Sequence, residues 1–402
     1  MTPILGGITN QLRLIHPAGS SSAPAALCPE PVLLRVFGAG TDAFLDRAAE
    51  TAALLELNAS GLGATCLGVF ANGRLERFMR RRRPLAPAET AEPATERRIA
   101  AELARFHASK VVAAGWDAAR DRAPAPQTWD VLRGWLERIR EAGEQDAGPD
   151  ASAAATRKTT LRRRLRLDDL REDVDELERR SVESGAPCVY LHNDLLGGNI
   201  LVAEDDAAPA TPGDDDSRPR DRGSSSRDDE DGGEDESVRE RTTRGDDPNV
   251  SSASKSREPS VAFIDFEYAC YGPRGFDVAN HLIERAGFEC DWSRLPDAAA
   301  RLRFSRAYVD ASTAASTEAA VDDDANEAAA ARLAAEAEAH YPASHLWWGV
   351  WAALQAATFE GEFDYAAYAE RRIDAYRERR MDPSPSPAKK TEKQDKGLEA
   401  SD

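Results

Sequence analysis

Residues 204–260 cannot help to build a core, and whatever this chain folds into must close around them. The segment is almost purely polar, with runs such as Asp214-Asp215-Asp216 and Ser224-Ser225-Ser226 and no aromatic residue. It carries 18 acidic and 9 basic residues, so about half of the chain's formal net charge of −19 sits in it. Too little apolar surface is present to offset the entropy of ordering the backbone, and the segment reads as a disordered acidic insertion. Two short apolar runs flank it, Ile200 to Ala203 and Val261 to Asp265. Brought together they make a plausible hairpin, with the insertion leaving at the tip and silent for chemistry.

Two further stretches look peripheral. Residues 311–338 are Ala-rich around Asp322-Asp323-Asp324. Glu327 to His340 reads as a solvated helix and the rest as a second, low-complexity insertion. Residues 383–402, with Ser-Pro repeats and four lysines, read as a loose disordered tail. About 300 residues then remain, enough for one large or two small lobes. At 41% hydrophobic residues the chain can bury a sizeable core. Its acidic balance argues against nucleic acid as a partner. No apolar run reaches membrane-spanning length and no leader is evident, so stable membrane insertion is not expected. The five scattered cysteines form no C-x-x-C pair, which favours a reducing, cytoplasmic setting.

The pattern is β-rich first and helical afterwards. Val32 to Phe37 reads as a strand, and Asp46 to Asn58 as a helix with Ala49, Ala53, Leu54 and Leu57 on one face. Cys66 to Phe70 and Leu75 to Met79, joined through Asn72-Gly73, read as a hairpin. From Glu89 onward the spacing is helical, apart from the hairpin around the insertion. The expected division is an N-terminal lobe over 1–80 and a helical lobe over 81–382.

The chemistry-bearing order is His192-Asn193-Asp194-Leu195-Leu196-Gly197-Gly198-Asn199 before the first hairpin strand and Asp265-Phe266-Glu267 after the second. Each piece alone has an ordinary structural reading. In this order, with a β-rich region upstream, they match the catalytic layout of the kinase fold. Asp194 is placed to orient a substrate hydroxyl and take its proton. Asn199 and Asp265, with Glu267 as a further oxygen donor, are the candidates for holding Mg²⁺. Leaving out 204–260 leaves eight residues between Asn199 and Asp265, a tight hairpin.

The upstream region should then hold ATP. Gly6-Gly7-Ile8-Thr9-Asn10-Gln11 is a glycine-containing turn, where the backbone at Gly7 and the Thr9 and Asn10 side chains can cradle phosphates. Arg35 sits mid-strand where a phosphate-gripping cation is wanted, and Glu50 on the next helix is placed to pair with it. Leu75-Glu76-Arg77-Phe78 reads as the hinge that meets adenine through its backbone. Arg80 to Arg83 reads as solvated surface.

These residues together resemble the choline/ethanolamine kinases, within the aminoglycoside-phosphotransferase-like branch of the protein-kinase-like fold. The resemblance rests on the segments above, on Leu34-Arg35-Val36-Phe37-Gly38, on Gly275-Phe276-Asp277 with Asn280-His281 and Glu284, and on Ala343-Ser344-His345-Leu346 with Trp348, Gly349 and Trp351. It implies an α+β bilobal fold, with a small β-rich N-lobe and a large helical C-lobe. It implies phosphorylation of a small amino alcohol by MgATP, and it leaves room for a homodimer. The family's amine pocket matches Glu284, Tyr268, Trp348, Trp351 and Tyr368 here; Trp347, one position off, reads as core. Leu196, where choline kinases usually carry Gln, and Ala286-Gly287-Phe288 after Glu284 lean toward the ethanolamine branch. The implied reaction is the first step from free ethanolamine toward phosphatidylethanolamine. The alternatives are a choline or dual kinase and a non-catalytic binding protein on a kinase scaffold. A protein kinase is disfavoured by Asp-Phe-Glu in place of Asp-Phe-Gly and by the lack of an Ala-Pro-Glu element. The sequence departs from the family's pattern in having only Met1 to Leu5 before the glycines, and Arg285 where an aromatic residue is frequent, which bears on the pocket rim.

Overall fold

Val32–Phe37, rich in β-branched and bulky apolar residues, forms the middle strand of a five-stranded antiparallel sheet. The strands are β1 (Thr2–Ile4), β2 (Asn10–Ile15), β3 (Val32–Phe37), β4 (Cys66–Phe70) and β5 (Gly73–Arg77), in spatial order β1-β2-β3-β5-β4. The β4–β5 hairpin forms as its Asn-Gly signal predicts, although β5 ends at Arg77. Gly73 is required there, because a Cβ would fall 2.2 Å from the Arg35 carbonyl oxygen on β3. Between β3 and β4 lies α1 (Arg47–Ala59), capped by the Asp46 carboxylate, which accepts the Ala48 and Ala49 N–H groups at 3.1 and 2.9 Å. Ala53, Leu54 and Leu57 are buried as expected, whereas Ala49 is exposed and Arg47 and Glu50 turn inward.

The rest comprises β6 (Arg82–Pro84), α2 (Pro93–His107), α3 (Thr128–Gln145), α4 (Ala153–Leu165), α5 (Leu170–Ser184), β7 (Cys188–Leu191), β8 (Ile200–Ala203), β9 (Val261–Phe263), β10 (Cys270–Pro273), α6 (Arg274–Ile283), α7 (Ala298–Ala315), α8 (Asp323–Thr358) and α9 (Tyr365–Met381). The computed structural model describes residues 1–4, 10–16, 30–38, 40–41, 45–145, 153–204, 261–315, 323–358 and 363–381, all within one compact unit. The acidic segment from 205 to 260 and the tail from 382 lie outside the described residues. The α+β, bilobal arrangement expected from the sequence is present: a β-sheet N-terminal part, then a largely helical part.

The hairpin inferred by closing over the polar segment is β8 with β9, antiparallel, Ile200 facing Phe263 and Val202 facing Val261. This register puts Asn199 and Asp265 at one end of the hairpin. Glu204, from which the polar segment continues, is at the other.

Beyond residue 80, three strands were not anticipated. β6 pairs with β8, so Arg82 to Pro84 is sheet edge rather than free surface, and β7 pairs with β10. The sequence Cys-Tyr-Gly-Pro of β10 has no two-residue periodicity to announce it. The reading of 311–338 as an insertion does not hold for 311–315 and 323–338; residues 316–322 lie outside the described residues. α7 runs to Ala315, α8 begins at Asp323, and Ala330, Leu333, Glu336, Ala337 and His340 on α8 are buried rather than solvated. Alanine-rich sequence has high helix propensity, and here its small side chains allow α8 to pack closely on α6, α7 and α9. Among the described residues no helix is long and apolar enough to cross a membrane.

Candidate active site

The segment His192–Asn199, between β7 and β8, is held by α6. The Asp277 carboxylate accepts the His192 and Asn193 backbone N–H groups at 2.7 and 2.9 Å, and His107 Nε2 donates to it at 3.0 Å. These bonds outweigh the burial that opposes its charge and hold Asp277 below the usual carboxylate range. Asn280 Nδ2 donates to the Asn193 carbonyl at 2.7 Å and His281 Nδ1 to that of Leu195 at 2.9 Å. Asn193 takes φ +64°, a sparsely populated conformation for a non-glycine residue, immediately before Asp194.

Asp194, Asn199 and Asp265 meet on the wall of a cavity of about 560 Å³. Asn199 Nδ2 donates to both the carbonyl and Oδ2 of Asp194, each at 2.8 Å. The Ile264 N–H donates to the Asn199 carbonyl at 3.0 Å, which sets Asp265 beside it. Asp265 is also left-handed, at φ +69°. Phe266 turns away into the core, its ring 5.5 Å from that of Phe106, under Gly63, where a Cβ would lie 2.6 Å from it. Burial, with Glu284, Asp265 and Glu267 nearby, holds the Asp194 carboxyl well above the usual range.

A chain of buried ion pairs ties this wall to the sheet. Arg35 and Arg74 face each other across β3 and β5 and share one carboxylate oxygen, Glu76 Oε1, at 2.9 and 2.7 Å. Arg35 Nη1 reaches Asp265 Oδ1 at 3.3 Å. Burial opposes the charge of Arg35, but Asp265, Glu76 and Glu50 outweigh it and raise its pKa. The expected Arg35–Glu50 pair is not formed. Glu50 pairs with Arg47 at 2.8 Å and Arg74 at 2.7 Å, because two adjacent strand arginines need two acids and Glu76, on the same strand face as Arg74, is nearer to Arg35. Glu50 therefore stands behind the cavity wall rather than on it. Glu267 lines the cavity, and its Oε2 accepts from Arg47 Nη1 at 2.9 Å and from Asn10 Nδ2 at 3.2 Å. Gly7 and Thr9 lie outside the described residues.

Glu76, Arg77 and Phe78 of the expected hinge segment line the cavity. The Arg77 and Phe78 N–H groups are already given to Thr65 and Pro31, and Phe78, Met79 and Arg82 line the cavity. Arg82 thus faces the site, against the reading of Arg80 to Arg83 as solvated surface.

The helical side of the cavity brings together all five residues expected there: Tyr268, Glu284, Trp348, Trp351 and Tyr368. Trp348 and Trp351, one turn apart on α8, meet edge to face at 5.3 Å. Trp348 Nε1 donates to Asn280 Oδ1 at 2.7 Å and Trp351 Nε1 to the Tyr268 hydroxyl at 2.9 Å. Burial pushes Glu284 up, partly offset by Arg372, which donates to its Oε1 at 3.2 Å. Trp347 is core, packed on Trp135. Arg285 does not alter the rim; it is buried against Glu96 at 3.0 Å.

Arg74 and Arg372 were missed from sequence, as were the ion-pair roles of Glu76 and Arg47. The two-residue spacing of Arg74 and Glu76 in a strand was a usable signal, since it puts both on one face; Arg372 offered none. Among the described residues no three His, Cys, Asp or Glu side chains gather as a metal cluster. Asn199 and Asp265 still fit magnesium, which takes few protein oxygens and completes its shell with phosphates and water.

The choline/ethanolamine kinase family model matches residues 1–377. A probable ethanolamine kinase of Arabidopsis thaliana is 27% identical over 94% of this chain and 78% of that protein. Probable choline kinase 2 of the same plant is 25% identical over 93% of this chain and 83% of its own length. The structure of a Plasmodium vivax ethanolamine kinase superposes with a TM-score of 0.65 at 24% identity, covering 93% of this chain and 80% of the other, a likeness that speaks for the fold. Since the match runs through the sheet, the Asp194 loop and the aromatic helix alike, the chain belongs to the choline/ethanolamine kinase family of small-molecule kinases.

Proposed function

We propose that the chain transfers the γ-phosphoryl group of MgATP to the hydroxyl of ethanolamine, giving phosphoethanolamine and ADP. The observation that carries this is one cavity with Asp194, Asn199 and Asp265 on one wall and a carboxylate set among aromatic rings on the other. Asp194 orients the hydroxyl and takes its proton, and its raised affinity for a proton suits that task. Asn199 and Asp265 are the residues that would hold magnesium, which when bound neutralises phosphate charge. Arg35, beside Asp265, and Asn10, beside Glu267, lie next to these acids on the sheet side, where the phosphates would lie. Such transfer depends on positioning and charge neutralisation. On the same reading the chain divides near residue 80 into a nucleotide-binding lobe and a catalytic lobe.

The preference for ethanolamine is supported by Glu284, an acceptor for ammonium N–H groups, and by Leu196, which lines the cavity. Relatives named for choline favour the second reading, a choline or dual kinase. Equimolar ethanolamine and choline with limiting MgATP separate the two, with products resolved by mass. Phosphoethanolamine is expected to dominate. A majority of phosphocholine would establish the second reading, and neither product would contradict both.

A further inference from the structure

Behind the Glu284 and Tyr368 wall, outside the cavity lining, lies the guanidinium of Arg372 on α9, with 1% of its side chain exposed. Its Nη1 donates to Glu284 Oε1 and to the Tyr368 hydroxyl oxygen, both at 3.2 Å. Its Nη2 donates to the Ser344 carbonyl at 3.2 Å. The guanidinium carbon stands 5.6 Å from the centre of the Tyr368 ring and 5.8 Å from that of Trp292. Ser344 in turn donates to Asn280 Oδ1, which also takes the Trp348 indole N–H. Three residues of the amine wall, Glu284, Tyr368 and Trp348, are therefore tied to one buried cation directly or through a short hydrogen-bonded path.

A guanidinium keeps its charge in any protein environment, so the helical side of the cavity contains a permanent cation before any substrate arrives. Two consequences follow for a second cation. The charge of Glu284 is already partly answered, so long-range attraction counts for less and short N–H···O contacts for more. A primary ammonium supplies those contacts, whereas the methyl groups of a quaternary ammonium hold its nitrogen away from the carboxylate. The Tyr368 ring is also shared with Arg372, which weakens the cation–ring attraction on which a quaternary amine depends.

We propose that Arg372 is a positioning residue that sets amine specificity, fixing the Glu284 carboxylate and the Tyr368 hydroxyl in one geometry that favours amines bearing N–H groups over quaternary ones. The inference rests on the amine-kinase reading given above.

The test compares the full chain with R372M, which keeps side-chain length without charge, and R372K, which keeps the charge without the fork. Steady-state constants are measured for ethanolamine, choline and ATP. In R372M the KM for ethanolamine should rise about tenfold or more, as for loss of a charge-assisted contact, with the KM for ATP changing by less than about twofold. The ratio of kcat/KM for ethanolamine to that for choline should fall by at least about tenfold, and R372K should recover part of it. A role confined to stability would lower kcat for both amines alike and leave both KM values and the ratio in place, which would overturn the proposal. Should R372M fail to fold, R372K alone decides, since an unchanged ratio there also overturns it. No ADP release by the unaltered chain with either amine would remove the amine-kinase reading and this inference together. Turnover by the unaltered chain with an unmoved ratio in the variants would remove the inference alone.

Discussion

Asp194 is buried beside three other carboxylates, and the fold keeps it there against its own electrostatics. A group whose charged form is disfavoured in the folded state lowers stability at neutral pH, because in the unfolded chain it ionises freely. Asp194→Asn removes that charge and retains an oxygen able to accept from Asn199. Its thermal midpoint is therefore expected to rise by a few degrees while turnover falls by about a thousandfold or more. A destabilised but active variant would contradict both halves of this account. The grouping of Asp194, Asn199 and Asp265 on one cavity wall was legible at this scale, because their order and spacing put them at one end of the β8–β9 hairpin. The partners of Arg35 were not. Which acid a strand arginine meets depends on register across β3 and β5, and an arginine facing Arg35 at position 74 redirected both Glu76 and Glu50.

At the scale of elements, α6 is the clamp on the His192–Asn199 segment. His281 gives its Nδ1 proton to Leu195, and burial with Arg285 nearby lowers its pKa to about 4. The unfolded histidine takes up a proton near pH 6.5, so the folded state is favoured fully above that pH and progressively less as the pH falls toward 4. Over that window this one group contributes a loss of roughly 3 kcal/mol. His281→Asn can still donate to Leu195 without titrating. Urea unfolding from pH 7 to pH 4.5 should therefore show a flatter fall for the variant than for the unaltered chain; parallel curves would refute the assignment. The β8–β9 pairing carries a second expectation. Ala203 and Val261 lie at the hairpin end remote from Asn199 and Asp265, so a four-residue turn in place of 206–259 should leave the steady-state kcat for ethanolamine within about twofold. A large loss would show that the polar segment takes part in the reaction.

For the molecule as a whole, the sequence disclosed the division into sheet and helices and the hairpin, since each rests on local periodicity or motif spacing; the aromatic wall came only through the family resemblance. It hid what depends on packing alone. The Ala-rich start of α8 looks like filler until Leu333 and Ala337 are seen buried, and Cys270 to Pro273 becomes a strand only because β7 offers it an edge. The ion pairs running from Arg47 through Glu50, Arg74, Glu76 and Arg35 to Asp265 join α1, the sheet and the end of the β8–β9 hairpin, and no one segment announces them.

Transfer of a phosphoryl group to an amino alcohol in this cavity has one direct readout. That readout is the initial rate of ADP release from MgATP by the full chain with and without ethanolamine, alongside Asp265→Ala shown by circular dichroism to be folded. Release is expected to depend on ethanolamine and on magnesium and to disappear in the variant. Release that ignores the amine, or that survives in Asp265→Ala, would contradict that transfer.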